Sequence, residues 1–369
     1  MTKLIFIVGA TAVGKTNWAL ELARLIQSKK QTSVGILNSD SIQIYKDLNI
    51  GSAKPDLSSY PNINFYLFNE LQAPQVGTAG FFRKKALEIL HEKLPNETLL
   101  TVGGSGFYLQ ALEKGMYPVK AQSLKKEIAQ PLSKNSGLNL DFHFHRNGEK
   151  HRKIKQDPYK NINLDSSDLN FSVKPVIPAK ACPRESGGGN LQKESQNSNR
   201  ISIKELYQEL MQKDPEMAAK ISPNDKYRIL RALDLIKTEG KTVSQIKKEF
   251  KETELPWPYL KIGLQIPKAE LLKRVRQRAK TMIQKGLIEE TQHLIDKGFK
   301  NWKPLSSVGY KSARLYLEGK INKEDLESSI VSQTMRLAKK QNTWFKKDKN
   351  IQWFDWNLSP LKVYKQIFQ

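Results

Sequence analysis

The chain has 369 residues, 61 of them lysine or arginine against 37 acids, for a formal charge of +24, and 38% of it is hydrophobic. The apolar share excludes a fully disordered chain, and the length suits two to three domains. A single cysteine, Cys182, excludes an intramolecular disulfide framework and a cysteine-based zinc cluster. The excess positive charge suits a polyanionic partner, nucleic acid or an anionic membrane surface.

Leu4–Val8 is a continuous apolar run that enters a glycine-rich turn, the pattern of a buried parallel strand. It is too short for a signal-peptide core or a membrane span, and no later run reaches transmembrane length. No membrane association and a cytoplasmic location are therefore expected. Lys15–Gln27 follows, with Trp18, Leu22 and Leu25 on one helical face. Val34–Leu37 is a second strand, ending at Asn38-Ser39-Asp40. Gly77–Leu94 reads as a helix that Thr78 can cap, with Phe82, Ala86 and Ile89 along one face. Thr98–Val102 is a third strand, running through Gly103-Gly104-Ser105-Gly106 into a short helix ending near Leu112. This alternation predicts an α/β fold with a doubly wound parallel sheet.

The pattern fails between 134 and 204, a polar stretch read as a mostly disordered insert or a long loop; its His143, His145 and His151 read as solvated, not metal-bound. Helices return with Ile203, Leu206, Tyr207 and Leu210, then with Tyr227, Leu230, Ala232, Leu233 and Ile236 ahead of Gly240, then over Val243–Phe250. Beyond the linker Glu254–Pro258, Leu260–Ile266 is a strand, and helices are expected at 268–285, 287–297 and 323–347. The layout predicts a core of 1–115 and 258–369, with a helical domain, 116–257, inserted between and a helical C-terminal part. Residues 205–369 hold 33 basic and 20 acidic side chains, so the polyanion footprint should lie mainly there.

Gly9-Ala10-Thr11-Ala12-Val13-Gly14-Lys15-Thr16 is the P-loop pattern G-x-x-x-x-G-K-T, set between a strand and a helix. Its backbone amides and helix N-terminus suit a di- or triphosphate; Lys15 adds charge and Thr16 a hydroxyl for Mg²⁺. Nucleotide-hydrolysing P-loop proteins hold Mg²⁺ with an acid at the end of another strand, but Leu99–Ser105 carries none. The nearest placed acid is Asp40, which fits two roles equally: a reactive carboxylate in the ligand crevice, or a turn-former after the strand.

The P-loop, Asn38–Tyr45 with Ile50–Pro55, Val102–Leu112, Pro223-Asn224-Asp225 with Arg228 and Arg231, Ser307–Lys311 and Leu337–Phe345 form six ordered blocks. Together they resemble the signatures of the tRNA dimethylallyltransferases. The resemblance implies transfer of a dimethylallyl group from dimethylallyl diphosphate to the exocyclic amine of the adenosine 3′ to the anticodon. The P-loop, Gly9 to Thr16, would then hold the prenyl diphosphate, with Mg²⁺ as cofactor reached by Thr16 through that diphosphate. It also implies Asp40 as general base, and Thr16 and Arg278, the latter in Arg274–Arg278, as the groups that stabilise the leaving diphosphate. Contacts to the tRNA anticodon stem-loop would come from Asp40, Ser41, Ile42, Gln43, Ser105, Lys126, Arg228, Arg231, Gly309, Lys340, Gln341, Thr343, Trp344 and Lys346. The adenosine must leave its stack to react, and a monomer is expected. Three other readings are a P-loop small-molecule kinase, an adenylate isopentenyltransferase acting on free nucleotides, and a non-catalytic RNA-binding module. The +24 charge argues against the first and the helical insertion against the second, while the third leaves Asp40 and the P-loop without a purpose.

Overall fold

The computed structural model describes residues 3–116 and 202–368. Lys126, His143, His145, His151, Cys182 and most of the expected insert 134–204 lie outside the described residues. Six parallel strands form one sheet: β1 (Leu4–Gly9), β2 (Ser33–Asn38), β3 (Asn64–Tyr66), β4 (Glu97–Val102), β5 (Tyr259–Gln265) and β6 (Ile351–Asp355). Their order is β3-β2-β4-β1-β5-β6. β1 lies at the centre, pairing with β4 through Leu4–Leu99 and with β5 through Leu4–Tyr259. Segments from the two ends of the chain therefore share one sheet, the α/β class expected. β1 and β4 are buried along their whole length because both sheet faces are covered; β1 is accordingly an unbroken apolar run, while β4 also buries Glu97, Thr98 and Thr101.

The described α-helices of seven or more residues are α1 (Lys15–Lys30), α2 (Ala79–Lys93), α3 (Gly106–Lys114), α4 (Ile203–Lys213), α5 (Lys226–Glu239), α6 (Val243–Glu249), α7 (Lys268–Gln284), α8 (Leu287–Leu294), α9 (Tyr310–Leu317), α10 (Lys323–Phe345) and α11 (Pro360–Phe368). Thr78 caps α2 as expected, its hydroxyl accepting from Phe81 N–H at 3.0 Å, a bond typically worth about 1 kcal/mol. The buried face of α2 is Phe82, Ala86, Leu87 and Leu90; Ile89 is only partly buried against it. Burying Phe82 fully contributes about 1.5–3 kcal/mol. α4 opens on a capping box of Ser202 and Glu205, and α5 ends at Gly240 with φ 67°.

Two apolar layers flank the sheet, one built on Phe6, Phe82 and Tyr108 and the other on Ile5, Trp18 and Ile262. α4, α5 and α6 pack on a cluster of their own around Leu210, Ile229 and Val243. The chain leaves the sheet and returns at almost one point: Thr253 N–H donates to Lys114 O at 3.0 Å, and Lys114 Nζ lies 3.0 Å from Glu252. Beneath this staple, buried Lys261 on β5 contacts Glu113 at 2.7 Å and Asp348 at 2.6 Å.

Four of the strands match the sequence reading; β3 and β6 do not appear in it, nor do α9 and α11. The two unread strands form the sheet edges. The helix expected at 287–297 stops at Leu294 and passes through a turn at Ile295–Phe299 containing Gly298 at φ 85°. Among the described residues no helix is long and apolar enough to cross a membrane.

Candidate active site

The P-loop turns from β1 into α1 as expected. Gly9 has φ 142°, and a Cβ there would stand 2.6 Å from Leu264 O on β5, so the strand end admits glycine alone. Lys15 Nζ donates to the carbonyls of Gly9 (3.1 Å) and Ala10 (2.8 Å). Burial pulls the Lys15 ammonium down to about 8, against an upward pull from the Asp40 carboxylate and with a further lowering by Arg278. These three charges thus sense one another across a single cleft.

Asp40 follows β2 directly. Its Oδ1 accepts from Ile42 N–H at 2.8 Å, and its own N–H donates to Asn38 Oδ1 at 2.8 Å. Asn38 also donates to Leu67 O at 2.8 Å, tying the turn to the segment after β3. The turn-forming role of Asp40 is therefore realised. It leaves the second carboxylate oxygen unused by that bond, and Asp40 lines two adjoining cavities. The larger, about 760 Å³, is bounded by Thr11, Gly14, Lys15, Thr16, Asp40 and Arg278. The smaller, about 180 Å³, is bounded by Asp40, Ser41, Ile42, Ser105, Gly309 and Gln341, with Arg278 and Thr11 shared between the two.

Arg278 reaches this junction from α7, with Nη1 3.4 Å from Thr11 Oγ1 and Nη2 donating to Ser52 O at 3.3 Å. Burial lowers its pKa and the Asp40 charge raises it. One turn earlier, Arg274 donates to Val13 O at 3.1 Å while its guanidinium stacks 3.8 Å above the Trp356 ring. The sequence reading marked Arg274 only as part of a motif; here it braces the back of the P-loop.

Several residues expected at the RNA contact hold the site together. Gln341 on α10 accepts from Thr11 N–H at 2.7 Å and donates to Gly104 O at 2.9 Å, bridging the P-loop and the β4 loop. Gln43 donates to Ser52 O at 3.2 Å and Ala53 O at 3.4 Å. Ser105 Oγ accepts from Ser41 N–H at 3.2 Å. Thr343 returns its hydroxyl to Lys339 O at 2.9 Å within α10. Gly309 sits at φ 90°, immediately before α9.

Lys340 and Trp344 on α10 and Lys346 just beyond its end are exposed. The Trp344 indole lies against Gly106, where a Cβ would approach to 2.2 Å. Arg228 and Arg231 do not join the junction: they line a third cavity, of about 580 Å³, between α3 and α5 that Phe107 also lines. Arg228 pairs with Asp225 at 3.3 Å and Arg231 with Asp234 at 2.8 Å. Among the described residues no cluster of three His, Cys, Asp or Glu side chains stands ready to hold a metal.

A family model described as IPP transferase matches residues 43–157 and 174–348. A tRNA dimethylallyltransferase of Bdellovibrio bacteriovorus is 36% identical over 354 residues, covering 95% of this chain and 92% of that protein. The full-length tRNA isopentenylpyrophosphate transferase of Bacillus halodurans shares the fold at a TM-score of 0.59 and 22% identity, covering 100% of this chain and 96% of that one. A eukaryotic dimethylallyltransferase acting on tRNA does so at a TM-score of 0.64 and 20% identity, covering 99% and 76%. Matched across most of its length and aligned nearly end to end with a named relative, the chain belongs to the IPP transferase family.

Proposed function

We propose that the chain is a tRNA dimethylallyltransferase, moving a dimethylallyl group from its diphosphate to the exocyclic amine of the adenosine 3′ to the anticodon. The observation that carries this is the junction itself. A P-loop lies on one side, a carboxylate and an arginine at the centre, and a second cavity opens on the other side of Asp40. The diphosphate would lie on the P-loop amides with Lys15, and the adenine would enter through the smaller cavity. As the new C–N bond forms, the carbon–oxygen bond to diphosphate breaks; the amine proton passes to Asp40, and the charge on the departing diphosphate is met by Arg278, Lys15 and Thr16.

Mg²⁺ suits this donor set. The ion keeps several waters and takes phosphate oxygens beside one or two protein oxygens, and the Thr16 hydroxyl on the cavity wall is such a donor. When bound it would neutralise diphosphate charge. The exposed basic side chains of α10, with Arg228 and Arg231, would hold the tRNA backbone, with 116–257 as the inserted RNA-binding unit. We place the activity in the cytoplasm, with the chain acting as a monomer. β4 ends in Val102-Gly103-Gly104 without an acid, which disfavours a kinase.

The test is direct. Incubation with unmodified tRNA, dimethylallyl diphosphate and Mg²⁺, then mass analysis of anticodon-loop nucleosides, should show one adenosine heavier by one isopentenyl substituent. Transfer to AMP in preference to tRNA, or phosphate transfer from ATP without prenylation, would replace this reading.

A further inference from the structure

Two titratable groups that this chemistry does not use, Glu290 on α8 and Tyr310 on α9, close on the loop between β2 and β3. Glu290 accepts from three successive backbone N–H groups: Asn49 at 2.9 Å, Ile50 at 3.0 Å and Gly51 at 3.3 Å. Tyr310 is fully buried; its hydroxyl donates to Glu290 Oε1 at 2.5 Å and accepts from Gly51 N–H at 3.1 Å. Successive N–H groups converging in this way form an anion nest, and here the resident anion is a side chain of the protein itself. The fit leaves no slack, because a Cβ on Gly51 would stand 2.5 Å from carbons of the Tyr310 ring. One residue further on, Ser52 O accepts from both Arg278 (3.3 Å) and Gln43 (3.2 Å).

We propose that Glu290 and Tyr310 are positioning residues: by fixing the Asn49–Gly51 amides they fix the Ser52 carbonyl, which helps set the plane of the Arg278 guanidinium at the diphosphate site. The inference rests on the reading of Arg278 as a diphosphate contact. A guanidinium presents its donors as a rigid planar fork, so an anchor on one nitrogen orients the others. The contact of the other nitrogen, to the Thr11 hydroxyl, is of similar length at 3.4 Å, so both anchors are long and the Ser52 carbonyl supplies one of two points that fix the plane. Preorganised charge is worth most when it is aimed before the reaction begins.

A residue that merely supports the fold would act whether or not Arg278 is present, and this separates the two roles. Binding of inorganic pyrophosphate to the full chain is to be measured by calorimetry for the wild type, Tyr310→Phe, Glu290→Gln, Arg278→Ala and the two double variants. Tyr310→Phe should weaken pyrophosphate five- to tenfold and Glu290→Gln at least as much. In the Arg278→Ala background neither should change the affinity more than twofold. Single-turnover transfer should fall in the single variants, with the KM for tRNA within twofold of wild type. Should Glu290→Gln fail to fold, Tyr310→Phe, which keeps the ring in its socket, carries the cycle. Wild-type affinity in Tyr310→Phe, or a loss that persists undiminished without Arg278, overturns the proposal. A wild-type chain that binds pyrophosphate but does not prenylate tRNA overturns the functional reading instead and leaves the binding cycle intact.

Discussion

Replacing Asp40 by asparagine separates its two roles. The side chain holds a turn through Oδ1, accepting from Ile42 N–H at 2.8 Å. Asparagine keeps that carbonyl oxygen and that bond, so the turn after β2 and the packing behind it persist. It loses the carboxylate's charge and basicity at the cavity wall. The adenine amine is a poor nucleophile, its lone pair delocalised into the ring, and proton acceptance by a placed carboxylate typically contributes about 10²–10⁴ in rate. That range corresponds to about 3–5.5 kcal/mol of barrier. Asp40→Asn should therefore cut prenyl transfer by that factor while melting at the wild-type temperature. Asp40→Ala should match the rate loss and also give up the turn bond, worth about 1 kcal/mol net. The assay is rapid-quench single turnover, with enzyme in excess over labelled dimethylallyl diphosphate and unmodified tRNA, so that product release does not mask chemistry. A near-wild-type rate for Asp40→Asn, with normal tRNA binding, would refute the general-base assignment and leave Asp40 a turn-former.

Three further outcomes are expected. With its ammonium pulled down to about 8, Lys15 is charged below that pH and neutral above it, so kcat/KM for dimethylallyl diphosphate should fall as pH rises through about 8. In Asp40→Asn, which removes the charge that pulls this value upward, the same limb should move to lower pH; a pH–rate profile reads both. If exposed Lys346 and Lys347 meet RNA phosphates, replacing both should make log K against log salt shallower by about one for each charge, and a filter-binding series with an unchanged slope would place the RNA elsewhere. Gly106→Ala would push its Cβ into the Trp344 indole, which approaches to 2.2 Å but is itself 43% exposed. The ring should yield at little cost in stability, while tRNA affinity drops by up to the roughly 1–3 kcal/mol of a base–aromatic stack; undiminished tRNA binding would exclude Trp344 as a stacking platform.

What was legible in the sequence was what is local. β1 is apolar throughout, and β2 and β4 have apolar centres, because both faces are covered, and the P-loop is fixed by spacing alone. β3 has three residues and no run to read; Asn64 and Tyr66 are held by hydrogen bonds, both 2.7 Å, to Glu97 on another strand. β6 pairs on one side only, so its burial alternates irregularly. The site divides in the same way. Asp40 and Arg278 were marked by motif, but Gln341 bonds Thr11 across 330 positions and Glu290 bonds Ile50 across 240. Their partners are backbone amides, which carry no side-chain identity for a sequence to display. The resemblance implies Gln341 at the RNA, and in the structure its carboxamide joins the two loops of the reacting centre.

The staple at the root of the helical unit bears on how this family can change. Lys114 and Glu252 stand 138 positions apart in sequence yet touch, with Lys261, Glu113 and Asp348 fastened beneath them. An excursion whose two ends are clamped by the sheet alters the closure entropy only logarithmically with its length, by about 0.6 kcal/mol for each doubling. Material can thus be gained or lost between the clamps at a cost smaller than one helix cap, without altering the register of β1 against β5. Length variation among relatives should concentrate there, while the spacing from β1 to Asp40, and from β5 to Arg278, stays nearly fixed.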